Sequence, residues 1–301
     1  MKILVVGCGS IGRRHIGNLL RLGYEVVVWD TDIKAVLTCD KLYDVKRANL
    51  DKESFYAVFI CTPPDSHLAY MKYAIARRLP IFVEKPISDT EEGVAEVLEQ
   101  AGSLPIQVGY NLRFHPGLQL LKSLLPQIGQ PLHFQAYFGQ YFPKWRPDSD
   151  YLNSYTTKLG IILEASHELD YARWLLGEVE VTQCSWVNSG TVGFVAEDIA
   201  DIQLLFTQGT LGHIHLNAVE RGYSRWCKVI GTLGTIQWNF EPPFVGLTLA
   251  SETQKIDVHL RDMYVSEVRS FLYAIQTGSL VEVTGQDGLR VLQLALKAKN
   301  G

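Results

Sequence analysis

The sequence predicts an α/β chain in two parts: a doubly wound parallel sheet, then an α+β part with a large, mainly antiparallel open sheet. Three observations predict it. A short apolar run, Lys2–Val6, drops into Gly7-Cys8-Gly9-Ser10-Ile11-Gly12, and a second run, Glu25–Trp29, ends at Asp30. Up to about residue 115, apolar runs of strand length alternate with helical stretches, the texture of parallel strands joined by crossover helices. After His115 the runs lengthen and alternate apolar with polar residues between Gly and Asn turns, which reads as antiparallel sheet. The expected division is therefore 1–115 and 116–301, and 301 residues suffice for two cores.

Each element has a local reason. Gly7 allows the tight turn after the first strand, Gly9 lets backbone approach a ligand, and Gly12 lets the following helix pack closely on the strand. Phe55–Cys61, almost unbroken in its apolarity and bounded by Thr62-Pro63-Pro64, reads as a buried parallel strand. Asp65 and Ser66 offer N-cap oxygens for a helix to about Arg77. Pro80–Val83 is the next strand, Ser88 or Asp89 is expected to cap a helix to about Gln100, and Pro105–Val108 is a further strand. A helix is expected from Pro116 to about Leu125. Strands follow at 132–141, 179–187, 199–206, 210–219, 225–230 and 235–240. Leu159–Leu176 carries apolar residues at helical spacing, and Asp287–Lys299 is expected to be a helix that packs back on the first part.

The opening segment points to chemistry. Strand, glycine turn, helix, strand and carboxylate, in that order, form the fingerprint of a dinucleotide-binding unit. The helix N-terminus offers unpaired N–H groups and a partial positive charge to a pyrophosphate. Asp30, eighteen residues after Gly12, can accept hydrogen bonds from both ribose hydroxyls of NAD and would repel the 2′-phosphate of NADP. Arg13 and Arg14 keep NADP open, since either can reach such a phosphate; solvated positions on the first helical turn are the alternative. Ligands of open α/β sheets sit outside the carboxyl ends of the strands, where Gly7, Asp30, Thr62 and Lys85 all fall.

Composition narrows the classes. The chain is 47% apolar and 20% charged with a net charge of −4, which gives no reason to expect nucleic acid or an anionic membrane as partner. No apolar run approaches the ~20 residues of a membrane span, and the chain opens directly into a strand. Five cysteines without CxxC spacing read as small buried hydrophobes of a reducing cytoplasm. Cys8, inside the glycine turn, is a candidate for alkylation when no ligand is bound. No metal is implied: His213 and His215 share a strand face, but no third ligand stands at suitable spacing.

Further motifs join the glycine turn: Cys61-Thr-Pro-Pro-Asp-Ser-His67, Glu84-Lys-Pro86, Asn111-Leu-Arg-Phe114, and His167-Glu-Leu-Asp-Tyr-Ala-Arg-Trp-Leu-Leu-Gly177. Asp262-Met-Tyr-Val-Ser-Glu267, Phe271 and Gly278 follow near the end. In this order they resemble the glucose–fructose oxidoreductase, inositol dehydrogenase and rhizopine-catabolism (Gfo/Idh/MocA) family of sugar oxidoreductases over essentially the whole length. The resemblance implies a Rossmann domain and an α+β domain. It also implies NAD or NADP as cofactor, a small sugar or nucleotide-sugar substrate, and a homodimer or homotetramer formed through the open sheet. Gly7, Gly9, Ser10, Ile11, Gly12, Asp30, Cys61, Thr62, Pro63, His67, Glu84 and Lys85 are then the cofactor-binding positions. For His67 alone, a plain helix-start residue is the alternative.

The family's catalytic lysine falls on Lys85, pinned by Pro86 in what is often a cis peptide bond. Such a lysine takes the hydroxyl proton while hydride leaves, if desolvation and the cofactor's ring lower its pKa. His167 becomes a substrate contact and proton partner. Members usually carry an Asp four residues before this His; here Leu163 stands there, and Glu164, three residues before, is expected to reach the same pocket from the same helix face. Asp170 either orients His167 or belongs to a structural network. Arg113 either faces substrate or makes a salt bridge. The loop 141–151, with Lys144, Trp145 and Arg146, suits an acidic sugar or a sugar nucleotide; a proline-rich loop pinned by its aromatics is the alternative. Two rival functions remain open: a tightly NAD-bound enzyme that uses transient oxidation for elimination or glycoside cleavage, and a non-catalytic NAD(P)-binding regulator.

Overall fold

β1 (Lys2–Val6) is flanked by β2 (Glu25–Trp29) and β4 (Ala57–Ile60), both parallel to it. With β3 (Lys46–Arg47), β5 (Ile81–Val83) and β6 (Ile106–Val108) they form a six-stranded sheet in the order β3-β2-β1-β4-β5-β6. Every pair in it is parallel. The computed structural model describes residues 1–145 and 155–301. The order reverses direction between β1 and β4, so the crevice at the carboxyl ends of these two strands is the place where ligands bind in such sheets.

The crossovers are α1 (Ser10–Arg21), α2 (Ile33–Tyr43), α3 (His67–Ala76) and α4 (Val94–Ala101). The helix expected from Ser88 or Asp89 begins at Val94 instead. Residues 88–93 turn first, with the Thr90 N–H on Ser88 Oγ and Gly93 at φ +76° before the helix. A further helix read only as a motif, α9 (Met263–Thr277), is capped by Asp262, which accepts from the N–H groups of Tyr264 and Val265. Its Phe271 meets the stacked rings of Phe59 and Phe82 edge-on at 5.6 and 5.7 Å. This burial explains why the chain does not divide linearly at 115. The first compact unit is Met1–Asn111 with Asp262–Leu292; the second is Leu112–Arg261 with Gln293–Gly301.

The second unit holds α5 (Pro116–Leu124), α6 (Phe142–Trp145), α7 (Tyr155–Glu164) and α8 (His167–Leu176). Its strands are β7 (Pro131–Gln140), β8 (Val179–Val187), β9 (Ile199–Phe206), β10 (Leu211–Asn217), β11 (Tyr223–Gly231), β12 (Gly234–Asn239), β13 (Phe244–Leu249) and β14 (Glu252–Asp257). They form one sheet, β14-β13-β12-β11-β7-β10-β9-β8, antiparallel throughout except for the parallel pair β7–β10. One face is apolar and buried, with Phe134, Ala136, Ile202, Leu204, Ile214, Leu216, Val229, Ile236 and Trp238 at alternate positions. β13 and β14 extend the sheet beyond the six strands read from sequence. The last helix, α10 (Gly285–Lys299), is assigned to the first unit up to Leu292 and to the second from Gln293.

Candidate active site

The three glycines of the opening turn do different work. Gly7 sits at φ +97°, and a Cβ there would lie 2.6 Å from the carbonyl carbon and oxygen of Cys61. A Cβ on Gly12 would lie 1.9 Å from the Gly7 carbonyl oxygen. Both are required by the close approach of β1, α1 and the end of β4. Gly9 differs: among the described residues a Cβ there meets nothing within 4 Å. Its missing side chain is not explained by packing, and it faces a cleft of about 370 Å³. One wall of that cleft is Gly7 and Gly9, another is Trp29, Asp30 and Thr31, and the third is Cys61, Thr62, Pro63 and Tyr70.

Among the described residues no side chain caps the N-terminus of α1, and no acidic residue occupies its first turn, so the positive end of the helix is left to a ligand's charge. Asp30 closes the opposite wall. Its Oδ2 accepts from the Cys8 N–H at 2.7 Å and its Oδ1 from the Asp32 N–H at 2.9 Å, which fixes the carboxylate in the cleft wall. An uncapped helix end, an open glycine and a positioned carboxylate fit a dinucleotide: pyrophosphate at Gly9, Ser10 and Ile11, ribose hydroxyls at Asp30. The two arginines that kept NADP open both have partners. Arg13 donates to the Cys8 carbonyl at 3.0 Å, and the Arg14 guanidinium lies 4.3 Å from the Tyr264 ring centroid. Cys8 itself is fully buried, and burial pushes its thiol well above the usual range. The expected alkylation site is thus a closed one, because the turn folds the side chain inward against Cys39.

Sequence reasoning missed Trp29 and Tyr70. Their rings meet edge-on at 5.5 Å beside Asp30, and the only sequence signal was the aromatic residue directly before the carboxylate.

Glu84, Lys85 and Pro86 follow β5, whose Val83 is the register partner of Ile60 at the end of β4. The Lys85–Pro86 peptide bond is cis. Lys85 is half-buried. Glu84 is buried and accepts from His15 Nε2 at 2.7 Å and from the Lys85 N–H at 3.3 Å. His67 is fully buried, with Nδ1 3.0 Å from the Pro86 carbonyl oxygen and Nε2 2.8 Å from that of Thr62. Burial pushes its pKa below the usual histidine value, against the opposing pull of these carbonyls. His67 therefore meets the cleft through Thr62 and not with its own ring.

In the second unit the helix expected over 159–176 is two helices. Gly160 has φ +77°, and a Cβ there would lie 2.3–2.4 Å from the Glu197 carboxylate. That carboxylate is held by Lys299 Nζ at 2.8 Å and accepts from the Ile162 N–H. A turn at Ala165 and Ser166 then ends α7, so Glu164 is its last residue and His167 the first of α8. The two do not share the face of one helix, and the argument from helical spacing does not hold. Both are half-buried.

Arg113 and Asp170 face each other: Nε lies 3.0 and 3.1 Å from the two carboxylate oxygens and Nη2 lies 2.6 Å from Oδ1. Their side chains are 4% and 1% exposed. A second buried pair, unforeseen, joins Glu168 to Arg225 at 2.8 Å. Trp145 ends α6, and Arg146 lies outside the described residues. His213 and His215 both reach Asp201 Oδ1 at 2.9 Å. Among the described residues no group of three or more His, Cys, Asp or Glu side chains is arranged to hold a metal ion, and no helix is long and apolar enough to cross a membrane.

Comparison with known proteins agrees with this geometry. Residues 1–111 match the model of the oxidoreductase family with an NAD-binding Rossmann fold, and residues 121–237 match the GFO/IDH/MocA C-terminal domain. The chain is 28% identical to the inositol 2-dehydrogenase of Burkholderia cenocepacia (strain HI2424), over 96% of this chain and 90% of that protein. It superposes on UDP-N-acetylglucosamine 3-dehydrogenase GnnA from Acidithiobacillus ferrooxidans with a TM-score of 0.87 at 22% identity, covering 100% of this chain and 97% of the other. A levoglucosan dehydrogenase in complex with NADH and levoglucosan gives a TM-score of 0.87 at 18% identity, with coverage of 100% and 97%. These two likenesses show the fold. With both of its domains matched, the chain belongs to the Gfo/Idh/MocA family of NAD-binding oxidoreductases.

Proposed function

We propose that the protein is an NAD-dependent dehydrogenase that interconverts a secondary hydroxyl and a ketone on a sugar or sugar derivative, with Lys85 as general acid/base. The observation that carries this is the position of Lys85: at the carboxyl end of β5, half-buried, beside the β4 end whose Cys61, Thr62 and Pro63 wall the glycine cleft. Bound NAD supplies the hydride acceptor. Lys85 Nζ takes the hydroxyl proton during oxidation and, once protonated, polarises the carbonyl in the reverse direction. Asp30 and the glycine turn bind and orient the cofactor.

From the second unit we assign His167 as substrate contact and proton partner, with Glu164 as the accompanying carboxylate. Arg113 and Asp170, buried against each other, are assigned to supporting His167 rather than to touching substrate. Substrate class rests on the resemblance and on dehydrogenases among the relatives. Assembly through the eight-stranded sheet is supported by Leu205 and Leu211, register partners on the face opposite the buried Leu204 and Phe206 and 42% and 59% exposed. Light scattering that returned a monomer would remove that part.

The test is NADH titration by fluorescence, then absorbance at 340 nm with NAD+ and a panel of myo-inositol, glucuronate and UDP-N-acetylglucosamine. Lys85→Met is expected to lower kcat by about 10²–10⁴, the usual contribution of a positioned acid/base, with NADH affinity within a few-fold. An unchanged rate would overturn the role of Lys85.

A further inference from the structure

Lys85 is held from both sides by buried imidazoles. On its N-terminal side, His15 reaches Glu84 Oε1 at 2.7 Å, and the other oxygen of the same carboxylate accepts the Lys85 N–H at 3.3 Å. On its C-terminal side, His67 Nδ1 lies 3.0 Å from the Pro86 carbonyl oxygen. Both rings are 0% exposed, so neither can touch a substrate. His15 is wedged against Phe82 and Phe59 with ring centroids at 5.0 and 5.5 Å. The Glu84 carboxylate is backed by Gly109, where a Cβ would lie 3.0–3.1 Å from its atoms.

The two histidines come from the elements that build the cofactor wall. His15 is in the second turn of α1, whose N-terminus follows Gly9. His67 opens α3, and its Nε2 lies 2.8 Å from the carbonyl oxygen of Thr62, a cleft residue. Two polar groups this deeply buried are retained at a desolvation cost, and their bonds converge on the two neighbours of one lysine. We propose that His15 and His67 are positioning residues that fix the Glu84-Lys85-Pro86 turn against the cofactor wall. This rests on the reading of Lys85 as general acid/base.

The geometry distinguishes the replacements. A neutral imidazole carries one N–H. Asn in place of His67 offers an amide N–H where Nδ1 stood, toward Pro86; Gln offers one where Nε2 stood, toward Thr62. Gln at position 15 likewise keeps the donor to Glu84. The experiment uses the full chain with NAD+ and whichever panel compound turns over fastest. In parallel, lysines are reductively methylated with ¹³C-formaldehyde, and the Lys85 methyl resonance is identified by its loss in Lys85→Met.

His15→Leu and His67→Leu are expected to lower kcat at least ten-fold and to shift that resonance, with the NADH Kd within about three-fold. His15→Gln and His67→Asn are expected to stay within about three-fold of wild-type kcat with the resonance in place. His67→Gln is expected to fall at least five-fold below His67→Asn in kcat, and to show the shifted resonance that His67→Asn does not. This last comparison decides the matter if the Leu variants do not fold, and the resonance decides it if no panel compound turns over. Equal kcat and an unmoved resonance across the His67 variants would overturn the proposal, as would kcat and NADH affinity falling together. Wild-type turnover in Lys85→Met would instead overturn the underlying role of Lys85.

Discussion

In the first unit the cleft is walled by short local segments, the turn at Gly7 and Gly9, Trp29–Thr31 and Cys61–Pro63, with Tyr70 beside them. In the second unit the segment around His167 is held by side chains, through Arg113–Asp170, Glu168–Arg225 and Glu197–Lys299. A site built from short local segments is specified by local conformation and can lose ligand affinity without losing the fold. A site held by buried charges is tied to stability, because each ion depends on its partner for the solvation that water no longer gives.

The largest expected effect tests that contrast where it is strongest. Asp170→Ala removes the carboxylate that Nε and Nη2 of Arg113, 4% exposed, donate to, and removal of one partner of a buried pair costs about 3–5 kcal/mol. The urea midpoint should fall accordingly. Arg113→Met with Asp170→Leu should recover most of the loss, since an apolar replacement of both partners leaves no uncompensated charge. A midpoint unmoved by Asp170→Ala would break the comparison.

The same contrast explains how much could be read from the residues alone. The glycine turn, β1, β2, β4 and Asp30 were legible because tight turns and buried parallel strands leave their mark within a few neighbouring residues. The pairs Arg113–Asp170 and Glu168–Arg225 each join residues 57 apart, and no local pattern links them. The periodicity over 159–176 ran through a helix break because Leu163 and Leu169, on either side of it, are both buried. The cause of the neighbouring kink, a carboxylate from Glu197 filling the space beside Gly160, lies outside the segment. β14 was missed for the opposite reason: Glu252–Asp257 is an edge strand exposed at nearly every position, so it shows no alternation.

A middle-sized effect comes from a buried histidine on the second unit's side of the comparison. His115 caps α5 by accepting the Gly117 N–H at Nδ1, 3.0 Å away, with its ring against Trp238 and Phe240. Burial, aided by the Arg225 charge, pushes its pKa down to about 4 from 6.5. The unfolded chain therefore binds a proton below about pH 6.5 that the folded chain refuses until about pH 4. Stability from this group is complete above the upper value and is lost as pH falls through the window, by up to roughly 3 kcal/mol. His115→Asn keeps an acceptor for the helix cap but does not titrate. Urea midpoints at pH 7 and pH 4.5 should fall further in the wild type than in the variant; parallel losses would remove the effect from His115.

The smallest effect on stability should be the sharpest test of the first unit. Ala at Gly9 fits the existing backbone, since φ there is −69°, and the new methyl meets nothing within 4 Å. Ala at Gly12 drives a methyl into the Gly7 carbonyl oxygen at 1.9 Å. Packing alone would rank Gly9→Ala as harmless, within about 0.5 kcal/mol of wild type, as for substitutions away from any buried feature. The dinucleotide reading says the open space is where the pyrophosphate approaches, so the same methyl should weaken NADH roughly ten- to hundred-fold, or about 1.4–2.7 kcal/mol. Gly12→Ala should lose stability and affinity together. Thermal midpoints without ligand, set beside NADH titrations of both variants, separate the outcomes. Wild-type NADH affinity in Gly9→Ala would mean that the glycine is dispensable to the cleft. A matching loss of stability would mean that the turn serves the fold at all three glycines.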